Sequence, residues 1–185
     1  MTELQRHEKK RTAKERGDPS MEPSLLKELM FLFAKIAAII FAFVLVFTLM
    51  FGLCRNPDAS MDPAVRDGDL VMFYRLDKDY MAQDTLVLEF EGQKQVRRVI
   101  AVAGDTVDIT EEGLLVNGAL QQEKEICSAT KRYEEGVEFP YIVGEGEVFV
   151  LGDRRDNASD SRIYGTVKNK DTLGKVMLIL RWRNV

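Results

Sequence analysis

Between Ile36 and Leu53 the chain runs for 18 residues without a charge, IAAIIFAFVLVFTLMFGL, and this run constrains the fold more than any other feature. At about 1.5 Å rise per residue, a helix of that length nearly spans a hydrocarbon core of roughly 30 Å. Residues Leu29 to Ala34 lengthen the apolar stretch, and the stem of Lys35 can carry its ammonium to the headgroups. In lipid a lone span has to satisfy all its backbone polar groups internally, which only a helix does. A soluble domain of this size could hardly enclose so long a helix that is apolar all round. A cleaved export signal fits less well. Its apolar region is usually shorter and its leading segment briefer, and no small-x-small site follows here. A lipoprotein site would need a small residue before Cys54, where Leu53 stands.

The flanks give the orientation. Residues 1–54 carry 8 Lys/Arg against 6 Asp/Glu, a net of +2, and the rest of the chain carries −6. Arg6, Lys9, Lys10, Arg11, Lys14, Arg16 and Lys27 precede the apolar run, whereas only Arg55, soon offset by Asp58, lies just beyond it. The positive-inside rule then keeps the N-terminus in the cytoplasm and puts residues from about 55 onward outside. The expected organisation is a basic cytoplasmic tail over 1–30, a single-pass transmembrane anchor over 31–54 and an extracytoplasmic domain over 55–185. The lipid bilayer is thus one partner, and the basic tail reads as a topology signal attracted to anionic lipid. An overall net charge of −4 leaves no footprint for nucleic acid. Cys54 and Cys127 have no metal-ligand spacing and form no disulfide framework. No metal or organic cofactor is implied. A Cys54–Cys127 bridge is the only pairing on offer, and two small apolar residues is the simpler reading.

After the anchor the pattern is mainly β. Runs rich in apolar and β-branched residues occur at 69–75, 85–90, 95–103, 106–109, 114–120, 148–151 and 175–182. Asp67-Gly68, Glu91-Gly92, Gly104-Asp105, Glu112-Gly113 and Asn117-Gly118 punctuate them as turns. Asn117-Gly118, set inside Leu-Val-Asn-Gly-Ala-Leu, signals a two-residue hairpin. The charged stretch 121–138 reads as a solvated excursion between strands. The fold class is therefore an antiparallel β-rich barrel or sandwich behind one N-terminal transmembrane helix.

Three segments carry chemistry. The first is Ser60-Met61-Asp62-Pro63-Ala64, followed by Gly68-Asp69. The second is Val96-Arg97-Arg98-Val99-Ile100, followed by Ala103-Gly104-Asp105. The third is Gly152-Asp153-Arg154-Arg155-Asp156-Asn157-Ala158-Ser159-Asp160-Ser161-Arg162, closed by Tyr164-Gly165. In order, spacing and content they resemble the bacterial type I signal peptidases. Those enzymes carry a Ser-Met-x-Pro box just after a transmembrane helix, then a Lys-Arg-Val-Ile box, then a Gly-Asp-Asn-Arg…Ser-x-Asp-Ser-Arg box. The resemblance implies a membrane-bound serine endopeptidase with a Ser/Lys dyad. Such an enzyme removes signal peptides from exported precursor proteins, and its β-rich fold has an apolar face that rests on lipid. It implies Ser60 as nucleophile, with its backbone N–H as an oxyanion donor. It further implies Met61 as a shaper of the substrate pocket, and Asp160 with Arg162 as the ion pair that holds the third box near the site. The residues themselves are consistent with this: a serine hydroxyl needs a nearby base, and a serine soon after an anchor lies where a membrane-held signal peptide arrives.

The sequence departs from the family at the proton-transfer positions. Arg97 stands at the dyad-lysine position, and a guanidinium does not give up its proton in proteins. Arg97 can donate hydrogen bonds there but cannot be the general base. Ala158 replaces the serine that orients that lysine, so both members of a hydrogen-bonded pair have changed together. Asp58 occupies the place, two residues before Ser60, of a serine or glycine, and a carboxylate there would repel a developing oxyanion. Arg154 and Ala64 replace an asparagine and a frequent threonine without touching proton transfer. Among substitute bases, His7 lies on the cytoplasmic side. Lys94 is about 10 Å along the strand from Arg97 and on its opposite face unless a bulge intervenes. A carboxylate that titrates near 4 in water suits a serine poorly, so Asp58 ranks below Lys94. The alternative function is a non-catalytic relative, a chaperone or assembly factor for surface or pilus proteins. Arg97 and Ala158 favour it, and the intact Ser60-Met61 pair opposes it.

Overall fold

The computed structural model describes residues 22–123, 126 and 128–181. Residues 1–21 of the basic tail, with His7, and also Cys127 and Trp182, lie outside the described residues, whereas the last part of the expected tail, from Glu22, is already helix. Helix α1 covers Glu22–Met50. Its 29 residues span about 43 Å at 1.5 Å each. From Ser24 to Leu49 every side chain is exposed, including Phe31, Phe41 and Phe43. A helix apolar on all sides and covered by nothing is long and apolar enough to cross a membrane.

The apolar run does not end as helix. Phe51–Arg55 forms strand β1, paired antiparallel with β2 (Leu70–Tyr74) from Phe51↔Tyr74 to Arg55↔Leu70. The last four residues of the expected anchor span, Phe51 to Cys54, are thus β-strand, and so is Arg55. Gly52 makes this pairing close: a Cβ there would lie 2.2 Å from the Phe73 ring.

The remaining strands are β3 (Thr85–Phe90), β4 (Gln93–Val102), β5 (Thr106–Thr110), β6 (Gly113–Val116) and β7 (Ala119–Leu120). After them come β8 (Tyr141–Ile142), β9 (Glu147–Leu151), the short helix α2 (Ser161–Tyr164), β10 (Val167–Lys168) and β11 (Thr172–Leu180). They make two antiparallel sheets. The larger has seven strands in the order β1-β2-β11-β3-β4-β9-β10, and the smaller has four in the order β7-β6-β5-β8. The fold class expected from the sequence is the one observed.

Apolar side chains on alternating strand positions build three core clusters. One joins Cys54, Met61, Val65, Val71, Phe73, Val87 and Val96. A second joins Tyr80, Leu86, Leu88, Val99, Val148 and Val150. The third lies where the two sheets meet, around Ile109, Leu114, Phe149 and Leu151. Val87 belongs to the first cluster and its neighbours Leu86 and Leu88 to the second, so β3 is buried on both faces.

The stretch 121–138 is not simply solvated. Glu123 and Thr130 bond the buried guanidinium of Arg155, and the ring of Tyr133 lies 4.6 Å beneath that of Arg162. Charged residues here supply counter-charge to arginines that alternation alone does not locate.

Candidate active site

Ser60 lies on the connection between β1 and β2. Asn56 closes that connection: its Nδ2 donates to Asp58 O at 2.6 Å and Arg66 O at 3.1 Å. Its backbone N–H donates to Asp69 O at 2.8 Å, and its carbonyl accepts from Gly68 N at 3.0 Å. Within this clamp Asp58 folds over the next turn, accepting the N–H of Ser60 on Oδ1 at 2.9 Å. This is the local hydrogen bond that Asp favours in turns. The same oxygen lies 2.5 Å from Ser60 Oγ.

The third segment is brought against Ser60 from β9. Arg154 N donates to Ser60 O at 2.9 Å. Gly152 permits this contact, because a Cβ there would lie 2.7 Å from Ser60 O and 2.4 Å from Ala158 Cβ. Ala158 is therefore packed as well as unable to donate. Asp160 and Arg162 form a fully buried bidentate pair, Nε to Oδ1 at 2.9 Å and Nη2 to Oδ2 at 2.8 Å. Asp160 Oδ2 also accepts from Gly152 N at 3.1 Å, so the pair fixes the backbone that abuts Ser60.

Arg97 comes from the middle of β4, opposite Leu86. It is 1% exposed and Ser60 is 3% exposed. Its Nη1 donates to Ser60 Oγ at 2.6 Å and Val96 O at 2.6 Å, and its Nε donates to Ser159 O at 2.9 Å. Three neighbouring arginines have carboxylate partners: Arg98 with Asp153, Arg155 with Glu123, and Arg162 with Asp160. Arg97 has none within 4.0 Å among the described residues. Its charge is met by two carbonyls and by the serine oxygen, through which the Asp58 carboxylate is reached.

Ser60, Arg97, Asp160 and Arg162 are thus brought together. Met61 is fully buried in the cluster with Val71 and Val96, so it supports the site from the core side and has no exposed surface of its own. Lys94 is not brought to Ser60. The β3–β4 register runs unbroken from Gln93 to Arg98, and the bulge on β4 comes later, between Val99 and Ala101. Lys94 therefore stays exposed, opposite Glu89, on the face away from Arg97. The N–H of Ser60, expected as an oxyanion donor, is occupied by Asp58. Sequence alone makes Asp58 a repulsive neighbour and a base ranked below Lys94; the fold makes it a direct partner of the hydroxyl. The spacing Asp-x-Ser, typical of a side chain capping the N–H two residues on, was the available signal. Tyr164 also reaches this region, its hydroxyl buried without a hydrogen-bond partner. Burial pushes its phenol well above the ordinary range, against the opposing charge of Arg97, so no phenolate is at hand.

The sequence model of the family described as signal peptidase, peptidase S26, matches residues 17–182. The chain belongs to this family. A signal peptidase I of Bacillus licheniformis is 31% identical over 114 residues, covering 56% of this chain and 61% of that protein. A probable signal peptidase I-2 of Synechocystis is 29% identical over 133 residues, with 66% and 59% covered. A signal peptidase IB of Staphylococcus aureus is 30% identical over 139 residues, with 63% and 71% covered. The chain thus spans about 60% of the length of the first two of these relatives. A crystal structure of a signal peptidase I from Enterococcus faecalis matches at 25% identity and a TM-score of 0.45, over 54% of this chain and 97% of that one. Family membership and the long apolar helix together make this a membrane-associated protein.

Proposed function

We propose that the protein is a membrane-bound serine endopeptidase of the signal peptidase I type, removing signal peptides from exported precursors. Ser60 is the nucleophile. Arg97, at the dyad-lysine position, donates to its oxygen and stabilises negative charge there without accepting the proton. Met61 supports the floor of the site, and the Asp160–Arg162 pair holds the third segment in place. The N-terminus is cytoplasmic and the β-domain extracytoplasmic, so that precursors are met on the outer side.

The observation that carries this reading is the hydroxyl of Ser60, held 2.5 Å from a carboxylate oxygen and 2.6 Å from a guanidinium nitrogen. A turn serine without a task has no need of a buried cation at hydrogen-bond distance, since desolvating that cation is costly. Full-length protein in liposomes, incubated with a precursor bearing a small-x-small cleavage site, should release the mature chain, with the new N-terminus read by mass spectrometry. Ser60→Ala should abolish release. No release by the wild type, or undiminished release by Ser60→Ala, would sink the reading. Binding of precursor without cleavage would turn it toward an assembly role.

A further inference from the structure

The chemistry at Ser60 needs a proton acceptor, and the dyad position holds a group that cannot be one. Counting protons at the hydroxyl locates the acceptor. Ser60 Oγ carries a single hydrogen and has two close neighbours, Arg97 Nη1 at 2.6 Å and Asp58 Oδ1 at 2.5 Å. A guanidinium has only donors, so Oγ accepts from Arg97 and its own hydrogen must point at Asp58. Lys94 is exposed on the other face of β4, and Tyr164 holds its proton tightly. Among the described residues Asp58 alone both touches the hydroxyl and can take its proton.

Building on the reading of Ser60 as nucleophile, we infer that Asp58 is the general base of this protein, with Arg97 as the fixed charge that makes a carboxylate sufficient. As Ser60 Oγ bonds to the scissile carbonyl carbon, its proton passes to Asp58 Oδ1 and the carbonyl π pair moves onto oxygen. Arg97 remains 2.6 Å from Oγ and favours negative charge there before the bond is complete. The same transfer removes the objection that a carboxylate would repel the oxyanion. Protonated Asp58 is neutral, and its Oδ1 becomes a weaker acceptor for Ser60 N–H, which is freed to turn to the new oxyanion. When the C–N bond breaks, Asp58 returns the proton to the leaving amine. Water then attacks the acyl carbon, giving one proton to Asp58; as the carbonyl re-forms, the C–Oγ bond breaks, the proton passes from Asp58 to Ser60 Oγ, and the product leaves with a carboxyl group.

The discriminating variant is Asp58→Asn, which keeps an Oδ1 to accept Ser60 N–H and removes the charge and with it the basicity. Two readouts are taken on the full-length protein: kcat/KM for precursor cleavage across pH 4–9, and acylation of Ser60 by a small activated ester, followed by mass spectrometry. Asp58→Asn should lose roughly 100-fold or more in both, the range general-base catalysis supplies, and the acid limb of the pH profile should disappear. Asp58→Glu should restore part of each. Retention of both rates within about threefold, or an unchanged acid limb, would overturn the inference. If the wild type cleaves no precursor, the peptidase reading fails while the acylation readout still decides. Acylation that depends on Asp58 sustains the inference; acylation equal in both proteins, or absent from the wild type, ends it. Thermal unfolding checks that Asp58→Asn is folded, and Asp58→Ser stands in if it is not.

Discussion

Arg97 has no carboxylate within 4.0 Å among the described residues and reaches Asp58 only through Ser60 Oγ, while Arg162 is held directly by Asp160 on two of its nitrogens. On the proposed reading, the contrast separates a charge kept for chemistry from a charge kept for structure. Removing half of a buried pair leaves the other charge uncompensated, which costs about 3–5 kcal/mol. Asp160→Asn should therefore lower the unfolding free energy by roughly that amount, seen in denaturant titration. It should also loosen Gly152 and thereby slow any acylation of Ser60. An unfolding free energy within about 0.5 kcal/mol of wild type would show that the pair is dispensable. Ser60, Asp160 and Arg162 were legible because they sit in dense motifs whose spacing survives in this chain. Asp58 was visible but misjudged. Sequence gives its charge and its distance along the chain; the direction of its carboxylate is set by the clamp of Asn56 on Asp58 O and Arg66 O.

At the scale of elements, the connection that carries Ser60 is tied where it enters β2 by one carboxylate. Asp69, just before β2, accepts Arg66 N at 2.9 Å and the guanidinium of Arg181, just beyond β11, at 3.0 Å. Burial alone would raise the Asp69 carboxyl, but Arg181 and the Arg66 N–H outweigh it and hold the group below the ordinary carboxylate range. A folded-state value below the unfolded one contributes stability that is present above about pH 4 and lost as pH falls through the lower folded value. The thermal unfolding gap between wild type and Asp69→Asn should thus stay level from pH 7 to about 4.5 and close toward pH 2. A gap that widens on acidification would contradict it. Most strands could be read from alternation and turns. The hairpin β6–β7 turns at Asn117 and Gly118, both with positive φ (52° and 77°), as its Asn-Gly signal requires. β1 could not be read, because Phe51–Cys54 continues the apolar helix in composition. Only pairing with a strand some twenty residues on, and the contact of Gly52 with Phe73, makes it a strand. The two-residue strands β8 and β10 have no period to detect.

For the whole molecule, topology rests on charge rather than on fold. The charge around the helix changes sign along the chain, +2 up to Cys54 and −6 after it. The basic residues closest to the helix all precede it except Arg55. Juxtamembrane Lys and Arg resist translocation, whereas the acidic side does little to oppose it. An alkaline phosphatase fused after Val185 should therefore be active in intact cells. External protease should degrade the β-domain in spheroplasts while sparing an epitope placed at the N-terminus. Replacing Lys9, Lys10, Arg11, Lys14 and Arg16 by Gln, together with Asp58→Lys, should lower phosphatase activity, because the bias that fixes the orientation is then reduced from both sides. This last variant also removes the carboxylate at Ser60, so it reports on topology alone and its loss of cleavage says nothing of the base. Phosphatase activity that is absent in the parent chain, with the β-domain protected from protease, would reverse the orientation. Ser60 would then face the cytoplasm, where precursors have yet to be exported, and the peptidase reading would fall with it.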